Sequence, residues 1–214
     1  MRENNFNPTI FEEGLGAVSI AVCVVASPLL RYWYLRWGAS PEEVKMPLPG
    51  DEQVPDPRLQ STRAIGIHTP AAEIWPWLVQ MGQGRGGLYS YEILENLANC
   101  DMHNADHILP KHQNLQVGDK VRLSQDENVP AFVVRAVEPG RAIILGGDDP
   151  PTTWAFVLEP IDDHSTRLII RYRQDFEPTL GNVIGWRVFT EPIHFNMERK
   201  MLQGIKARAE ATAP

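Results

Sequence analysis

Residues 82–99 have the sequence GQGRGGLYSYEILENLAN, and this stretch decides how the chain folds. Gly82, Gly84 and Gly87 satisfy the pattern G-x-G-x-x-G, which binds a dinucleotide only where a strand precedes it and a helix follows. The preceding residues 70–81, PAAEIWPWLVQM, carry apolar side chains at helical spacing and begin with a proline suited to a first helical turn. A helix therefore runs into the glycines, and Gly82 is predicted to end it. The pattern favours a glycine turn over a nucleotide site.

After this turn, Leu88-Tyr89-Ser90-Tyr91 leads into a second predicted helix, residues 91–98. This order of helix, glycine turn, Tyr-Ser-Tyr and helix resembles the SRPBCC superfamily, which contains the START-like and polyketide cyclase-like helix-grip proteins. The resemblance extends from about Ser61 to Glu210. It implies an α+β helix-grip fold, in which an antiparallel sheet curls around a long C-terminal helix and leaves a cavity. Three further stretches carry it: LQVGDKV at 115–121, TWAFVLEPIDDHSTRLIIRYR at 153–173 and FNMERKMLQGIKARAE at 195–210.

Short β-rich runs separated by turn residues predict the strands of the sheet. No connection between them requires a parallel crossover, so an antiparallel sheet is favoured. A C-terminal helix is predicted to begin near residues 190–192. Ile193, Met197, Met201 and Ile205 recur at every fourth position, and this stripe can lie across the concave face of the sheet. The predicted strands are 62–68, 118–123, 131–137, 142–145, 153–159 and 167–172.

Length and composition limit the classes of function. With 214 residues, the chain is expected to hold one domain and an N-terminal appendage. A formal net charge of -7 argues against a nucleic-acid partner, which requires a basic surface. Cys23 and Cys100 suggest no disulfide framework and are typical of a reducing compartment. No cofactor is predicted.

The N-terminal appendage has the composition of a membrane segment. Residues 14–30 contain no charged side chain. The length of this uncharged stretch is near the short end of the ~17–25 residues that a spanning helix needs. Residues 31–37, RYWYLRW, combine aromatic rings and arginines as at a membrane interface. Because more basic residues follow this segment than precede it, a single-pass helix with a cytoplasmic globular domain is predicted. A cleaved signal and a buried helix of a soluble protein remain alternatives.

These patterns divide the chain into five parts: a tail (1–13), a transmembrane helix with its interfacial collar (14–37), a Pro-rich linker (38–60), the helix-grip domain (61–210) and a second tail (211–214). Residues 38–60 hold five prolines, which disfavour both helix and sheet. The residues predicted to face lipid are Leu15, Val18, Ile20, Val22, Val24, Val25, Leu29, Leu30, Trp33 and Trp37.

Two stretches contain residue types that could carry chemistry. In residues 100–112, CDMHNADHILPKH, His103 and His107 would share one helical face, but the turn-like centre and Pro110 disfavour a helix and no four-ligand set is complete. No metal site is therefore predicted. Ser90 lacks the G-x-S-x-G elbow of a nucleophilic serine, and no catalytic residue is assigned. Glu92 and Glu95 form either a carboxylate pair or a solvent-facing helix edge.

Arg171 and Arg173 lie on one face of their predicted strand and permit two interpretations. Were that face inward, the arginines would require an acidic ligand or carboxylate partners. The favoured interpretation turns Leu168, Ile170 and Tyr172 inward and leaves the arginines in solvent, because apolar residues usually occupy the interior. The residues predicted to line the cavity are Trp75, Tyr89, Tyr91, Trp154, Phe156, His194, Met197 and Met201.

The function predicted from the sequence is that of a membrane-anchored domain that binds a hydrophobic or amphipathic small molecule, or a lipid, in an internal cavity. Two alternatives remain open. The first is an accessory or assembly subunit whose N-terminal helix binds a membrane-protein partner. The second is a cyclase- or dehydratase-type enzyme that uses His194, Tyr89 and Arg171, although binding is favoured over catalysis.

Overall fold

The fold combines one antiparallel sheet with a long C-terminal helix, and this confirms the predicted α+β class. The computed structural model describes residues 10–212. Six strands form the sheet in the order β1-β6-β5-β4-β3-β2, and each neighbouring pair is antiparallel. The strands are β1 (Leu59–Ile67), β2 (Lys120–Val121), β3 (Phe132–Glu138), β4 (Ala142–Asp148), β5 (Pro151–Asp162) and β6 (Ser165–Gln174).

Helices precede the first strand, separate the first strand from the second, and follow the last strand. A π-helical segment, Gly185–Thr190, joins the last two α-helices into one continuous helical stretch. The C-terminal helix begins where the sequence predicts, but the helical residues ahead of it were not expected. The α-helices of residues 10–212 are α1 (Ile10–Val25), α2 (Ser27–Tyr34), α3 (Pro41–Lys45), α4 (Ala71–Val79), α5 (Glu92–Leu97), α6 (Leu180–Ile184) and α7 (Glu191–Thr212).

The main core lies between α7 and the inner face of the sheet. Alternate residues of each strand point to this face because the side-chain period of a strand is two. Burial of these apolar side chains removes them from water, which is the dominant favourable contribution to folding. The core includes Trp154, Phe156 and Leu158 of β5, Leu168 and Ile170 of β6, and Met201, Leu202 and Ile205 of α7.

The outer face of the sheet is covered by the Pro-rich segment for which the sequence predicts a linker. Ser40 and Glu43 form a capping box that starts α3. Leu48 is buried against this face. It belongs to a second apolar cluster that draws on four strands and includes Ala64, Ala142, Val157 and Ile169.

Arg171 is buried on this outer face, so its predicted exposure to solvent is wrong. The side chain is 2% exposed. It donates hydrogen bonds to the carbonyl oxygens of Met46 (2.8 Å) and Glu43 (2.7 Å) and to the Asp51 carboxylate (2.6 Å). Strand β6 alternates as predicted, and the covering segment is what removes Arg171 from water.

The apolar N-terminal stretch forms two helices in place of the continuous helix predicted over 14–37. Helices α1 and α2 meet at a bend of 111°, and within residues 10–212 no single helix is long and apolar enough to cross a membrane. Pro28, in the first turn of α2, has no N–H to continue the α1 hydrogen bonds. Residues 1–9 and 213–214, which complete the two predicted tails, lie outside the described part of the chain.

Helix α1 packs on the globular domain through its first turns. Glu13 is buried and accepts hydrogen bonds from the backbone N–H groups of Ile93 (3.2 Å) and Leu94 (3.3 Å) at the start of α5. A carboxylate at this position satisfies free N–H groups and complements the helix dipole. Gly16 lies against the ring of Tyr91.

The opposite side of α1 and α2 is apolar and exposed. Leu15, Val18, Val22, Val25, Leu29 and Trp33 are between 48% and 87% exposed. The other residues predicted to face lipid are partly buried: Ile20, Val24, Leu30 and Trp37.

The glycine turn forms as the sequence predicts. Gly82, Gly84 and Gly87 have φ angles of 120°, 70° and 76°, which glycine adopts without the steric cost of a Cβ atom. Gly82 and Gly87 exchange two backbone hydrogen bonds across the turn. Because a helix leads into the glycines, they lack the strand that a dinucleotide site requires.

Candidate functional site: a cavity beneath the C-terminal helix

A cavity of about 380 Å³ lies between the inner face of the sheet and α7. Strands supply one wall, and the π-helical segment and α7 supply the other. Most of the lining is apolar, with a few ionisable groups. The lining residues are Leu59, Leu88, Ser90, Glu95, Cys100, Leu123, Phe132, Trp154, Tyr172, Trp186, Thr190, Glu191, Ile193, His194, Met197, Glu198 and Met201.

Glu198 is a buried ionisable group of the cavity wall that has several partners. Its carboxylate forms a buried ion pair with Arg63 of β1 and accepts a hydrogen bond from Trp154 Nε1 at 2.8 Å. His194 Nε2 lies 3.7 Å from the same carboxylate, one helical turn earlier on α7. These contacts compensate the cost of removing the charge from water.

His194 presents a neutral imidazole to the cavity at physiological pH. Burial lowers the pKa of His194 to about 4, and the nearby Arg63 acts in the same direction against the opposing effect of Glu198. The ring packs against Tyr172 with centroids 4.6 Å apart. Burial raises the pKa of the Tyr172 hydroxyl, which donates a hydrogen bond to Gln174 Oε1 at 2.8 Å.

Glu191 connects the cavity to the N-terminal helices. It is the first residue of α7, is 2% exposed and lines the cavity. Arg31 of α2 donates to both of its carboxylate oxygens, at 2.7 and 2.9 Å. Tyr34 donates a third hydrogen bond from its hydroxyl at 3.2 Å. The bidentate geometry fixes α2 against the start of α7.

Glu95 is the other buried carboxyl of the lining, and it belongs to α5. Burial raises the pKa of Glu95 to about 8, with further contributions from the negative charges of Glu13 and Glu92. The sequence left Glu92 and Glu95 either as a pair or as a solvent-facing edge. The structure buries Glu95 and uses Glu92 to accept a hydrogen bond from the backbone N–H of Asn104 at 2.8 Å.

The structure brings four of the eight predicted lining residues to the cavity and places four elsewhere. Trp154, His194, Met197 and Met201 line it. Phe156 is fully buried behind Trp154, with ring centroids 4.8 Å apart.

The other three predicted residues support helices rather than the cavity. Tyr89 donates its hydroxyl hydrogen bond to the carbonyl of Trp77 at 3.0 Å and lies beneath Gly204 of α7. Tyr91 packs under α1, and Trp75 is half-buried at the edge of the main core. His194, Tyr89 and Arg171 therefore do not form a shared site, because Arg171 lies on the opposite face of the sheet.

Sequence reasoning missed the acidic residues of the lining. One signal was available: Glu198 follows His194 by one helical turn and precedes Met201 by three residues, so all three share a face of α7. No local signal identifies Arg63 as its partner, since the two residues are 135 positions apart.

Residues 100–112 form a polar loop with one 3-10 turn, Pro110–His112. His103 and His107 each pair with a neighbouring aspartate, Asp101 and Asp106 respectively. Within the described residues, no group of three or more His, Cys, Asp or Glu side chains could hold a metal ion. Ser90 donates its hydrogen bond to the carbonyl of Met197 at 3.0 Å.

No protein-family model and no curated protein matches the chain. Solved structures that resemble it include a START superfamily protein from Mycobacterium smegmatis, with 10% identity and a TM-score of 0.42 over 71% of this chain and 97% of that one. The Aha1 dimer from Colwellia psychrerythraea has 16% identity and a TM-score of 0.43, covering 71% and 96% of the two chains. CalU16 from Micromonospora echinospora has 16% identity and a TM-score of 0.35, covering 71% and 84%.

Proposed function

We propose that this protein binds a hydrophobic or amphipathic small molecule in the cavity beneath α7. The observation that carries the proposal is a cavity of about 380 Å³ with a mainly apolar lining and a few fixed polar groups. Its volume falls in the range of about 300–1,000 Å³ typical of small-molecule sites. Glu198 and Glu191 already form ion pairs with arginines. Their negative charges are therefore compensated within the protein, and they do not require a charged ligand.

Filling the cavity tests this proposal. Met201 is 2% exposed and lines the cavity, so Met201→Trp should occupy part of the space that a ligand needs. Decanol should raise the melting temperature of the parent protein, because a ligand of the native state stabilises it by mass action. The increase should be much smaller in Met201→Trp.

The matched control is Ile161→Trp, which adds the same ring at a position that is 62% exposed. This variant should respond to decanol as the parent does. If decanol leaves the parent unchanged and Met201→Trp strongly destabilises the fold, the interior is solid and the binding proposal fails.

We also propose that the protein rests on a lipid surface through the exposed apolar face of α1 and α2. The face ends at Tyr32, Trp33 and Arg36, a combination of residues typical of membrane interfaces. Both helices pack against the π-helical segment that lines the cavity. Ile193 is 44% exposed and also lines the cavity, so part of the cavity lining lies at the protein surface.

Flotation with phosphatidylcholine vesicles tests this second proposal. The full chain should float with the vesicles at high salt, because burial of apolar surface is not screened by ions. The double variant Val18→Asp and Val22→Asp should remain in the soluble fraction. Val117→Asp, at a position 66% exposed outside this face, should float like the parent. A parent protein that does not float would instead support a protein partner for this face.

A further inference from the structure

Glu95 is a buried carboxyl that the fold does not use. The residue is 6% exposed and lines the cavity. Its Oε2 atom is shielded from solvent and has no hydrogen-bond partner in the described structure. None of the ion pairs formed within residues 10–212 includes it. A buried carboxylate without a partner is costly, and native proteins usually satisfy such groups.

The other two buried carboxylates of the cavity wall show which partners such a group has in this protein. Glu198 has Arg63 and the Trp154 N–H, and Glu191 has Arg31 and the Tyr34 hydroxyl. Each of these carboxylates is held by one guanidinium and one neutral donor. Glu95 has neither, so its ionised form lacks the cation and the neutral donor that the other two carboxylates have, and a cationic ligand group would supply one of them.

The charges around Glu95 favour a cation at this end of the cavity. Glu13 of α1 and Glu92 of α5 act on Glu95, and both are acidic. The Cys100 thiol follows α5, and burial, with a smaller contribution from Glu95, raises its pKa. On α7, His194 and Glu198 line the same cavity, while Lys200 is paired with Glu12 at 3.2 Å. An anionic head group would meet like charges here.

We propose that Glu95 binds the ammonium group of an apolar amine whose hydrocarbon body fills the cavity. This inference rests on the ligand-binding function proposed above and names the class of ligand. The ammonium would donate hydrogen bonds to the Glu95 carboxylate, and charge-assisted bonds of this kind are roughly twice as strong as neutral ones. The apolar lining would take up the chain.

The proposal predicts a distinctive pH dependence. Since Glu95 has a pKa of about 8 in the free protein, it must lose a proton before it can pair with an ammonium. An alkylamine stays protonated up to about pH 10. Amine affinity should therefore rise by up to about tenfold per pH unit between pH 6 and 8. The affinity for a neutral alcohol should not change in this range by this mechanism.

Three probes with the same chain and different head groups test the inference: decylamine, decanol and decanoate. Each is titrated below its micelle concentration by calorimetry, at pH 6 and pH 8, into the full-length protein. Decylamine should bind at least tenfold more tightly than decanol at pH 8, and decanoate should bind most weakly. Glu95→Gln should remove this preference for the amine over the alcohol and its pH dependence.

Glu127→Gln removes the same charge from an exposed loop residue outside the cavity lining and should behave as the parent does. Equal binding of decylamine and decanol by the parent at pH 8 would overturn the inference and leave the proposed function intact. Preferred binding of decanoate would also overturn it. If none of the three probes binds, the proposed function fails and the inference fails with it. The comparison of head groups in the parent decides the question even if the Glu95 variant folds poorly.

Discussion

At the scale of single residues, the interior of this protein holds charge that its apolar surroundings would otherwise exclude. Arg63, on the sheet, is 0% exposed, and Glu198, on α7, is 2% exposed. The Arg63 Nε atom also donates to the carbonyl of Tyr34 at 2.9 Å. One guanidinium therefore links β1, α7 and the end of α2.

Removal of one member of this pair should be far more damaging than removal of both. Arg63→Met leaves Glu198 charged and unpaired in the interior, so it should lower the free energy of unfolding by about 3–5 kcal/mol. The double variant Arg63→Met and Glu198→Met should recover most of this loss. Urea denaturation measures the free energy of unfolding of both variants. As a control, Arg135→Met breaks the exposed pair with Asp148 and should lower the free energy of unfolding by less than about 1 kcal/mol.

The His194 side chain should contribute a loss of stability in mild acid. Its pKa is about 4 in the folded state, below its ordinary value of 6.5, so this side chain binds more protons in the unfolded state between these two values, whereas Glu95, with its raised pKa, contributes the opposite slope. The stability contributed by the neutral ring is complete above about pH 6.5 and is lost as the pH falls towards 4, by at most about 3 kcal/mol. His194→Gln should flatten this part of the stability profile, measured by urea denaturation from pH 4 to pH 7. An unchanged profile would mean that His194 is solvated in the native state.

At the scale of elements, the sequence predicted those helices, turns and strands whose form depends on residues close together in the chain. Helix α4, the glycine turn and the hairpin of β5 and β6 carry periodicity or turn residues within a few positions, and all three lie close to their predicted bounds. Helix α1 differs because its environment depends on Glu13 reaching α5, 80 residues away. An uncharged stretch has the same composition whether it faces lipid or a protein surface.

Arg171, on the outer face of the sheet, and Glu95, in the cavity lining, show what a local sequence pattern leaves undetermined. Arg171 was placed on the correct face of β6, but no pattern in that strand reveals the segment that covers it. Glu95 stands where a solvent-facing helix edge and a buried carboxyl have the same sequence pattern. Trp154, His194, Met197 and Met201 could be found because the family resemblance implied a cavity between sheet and C-terminal helix, and alternation and helical spacing direct these side chains towards it.

Two glycines of α1 test how this helix packs. A Cβ atom at Gly16 would lie 2.5 Å from the ring of Tyr91, whereas one at Gly14 would meet nothing within 4 Å. Gly14→Ala should therefore raise the free energy of unfolding by about 0.5–1 kcal/mol through helix propensity. Gly16→Ala should lower it, because the ring or the helix must move. If chemical denaturation shows the same stabilisation for both variants, α1 does not pack on Tyr91.

At the scale of the whole molecule, the N-terminal helices complete the domain. Helix α2 supplies Arg31 and Tyr34 to Glu191, and its last carbonyl accepts a hydrogen bond from Arg63. Helix α1 supplies Glu13 to α5. The cavity wall thus depends on residues that precede the sheet by more than twenty positions.

Truncation should therefore destabilise the domain rather than release it intact. A chain that begins at Ser40 lacks Arg31 and Tyr34, which are the partners of Glu191, and Arg63 loses its hydrogen bond to the Tyr34 carbonyl. Charged groups of the cavity wall are then left uncompensated. A loss of about 3–5 kcal/mol corresponds to a decrease in melting temperature of about 6–20 °C for a chain of this size. Differential scanning calorimetry measures the decrease, with a chain that begins at Ile10 as the control. Arg31→Met in the full chain should reproduce part of it, because only the guanidinium of the Glu191 pair is then missing. An equal melting temperature for the chains that begin at Ser40 and at Ile10 would show that α1 and α2 are independent of the domain.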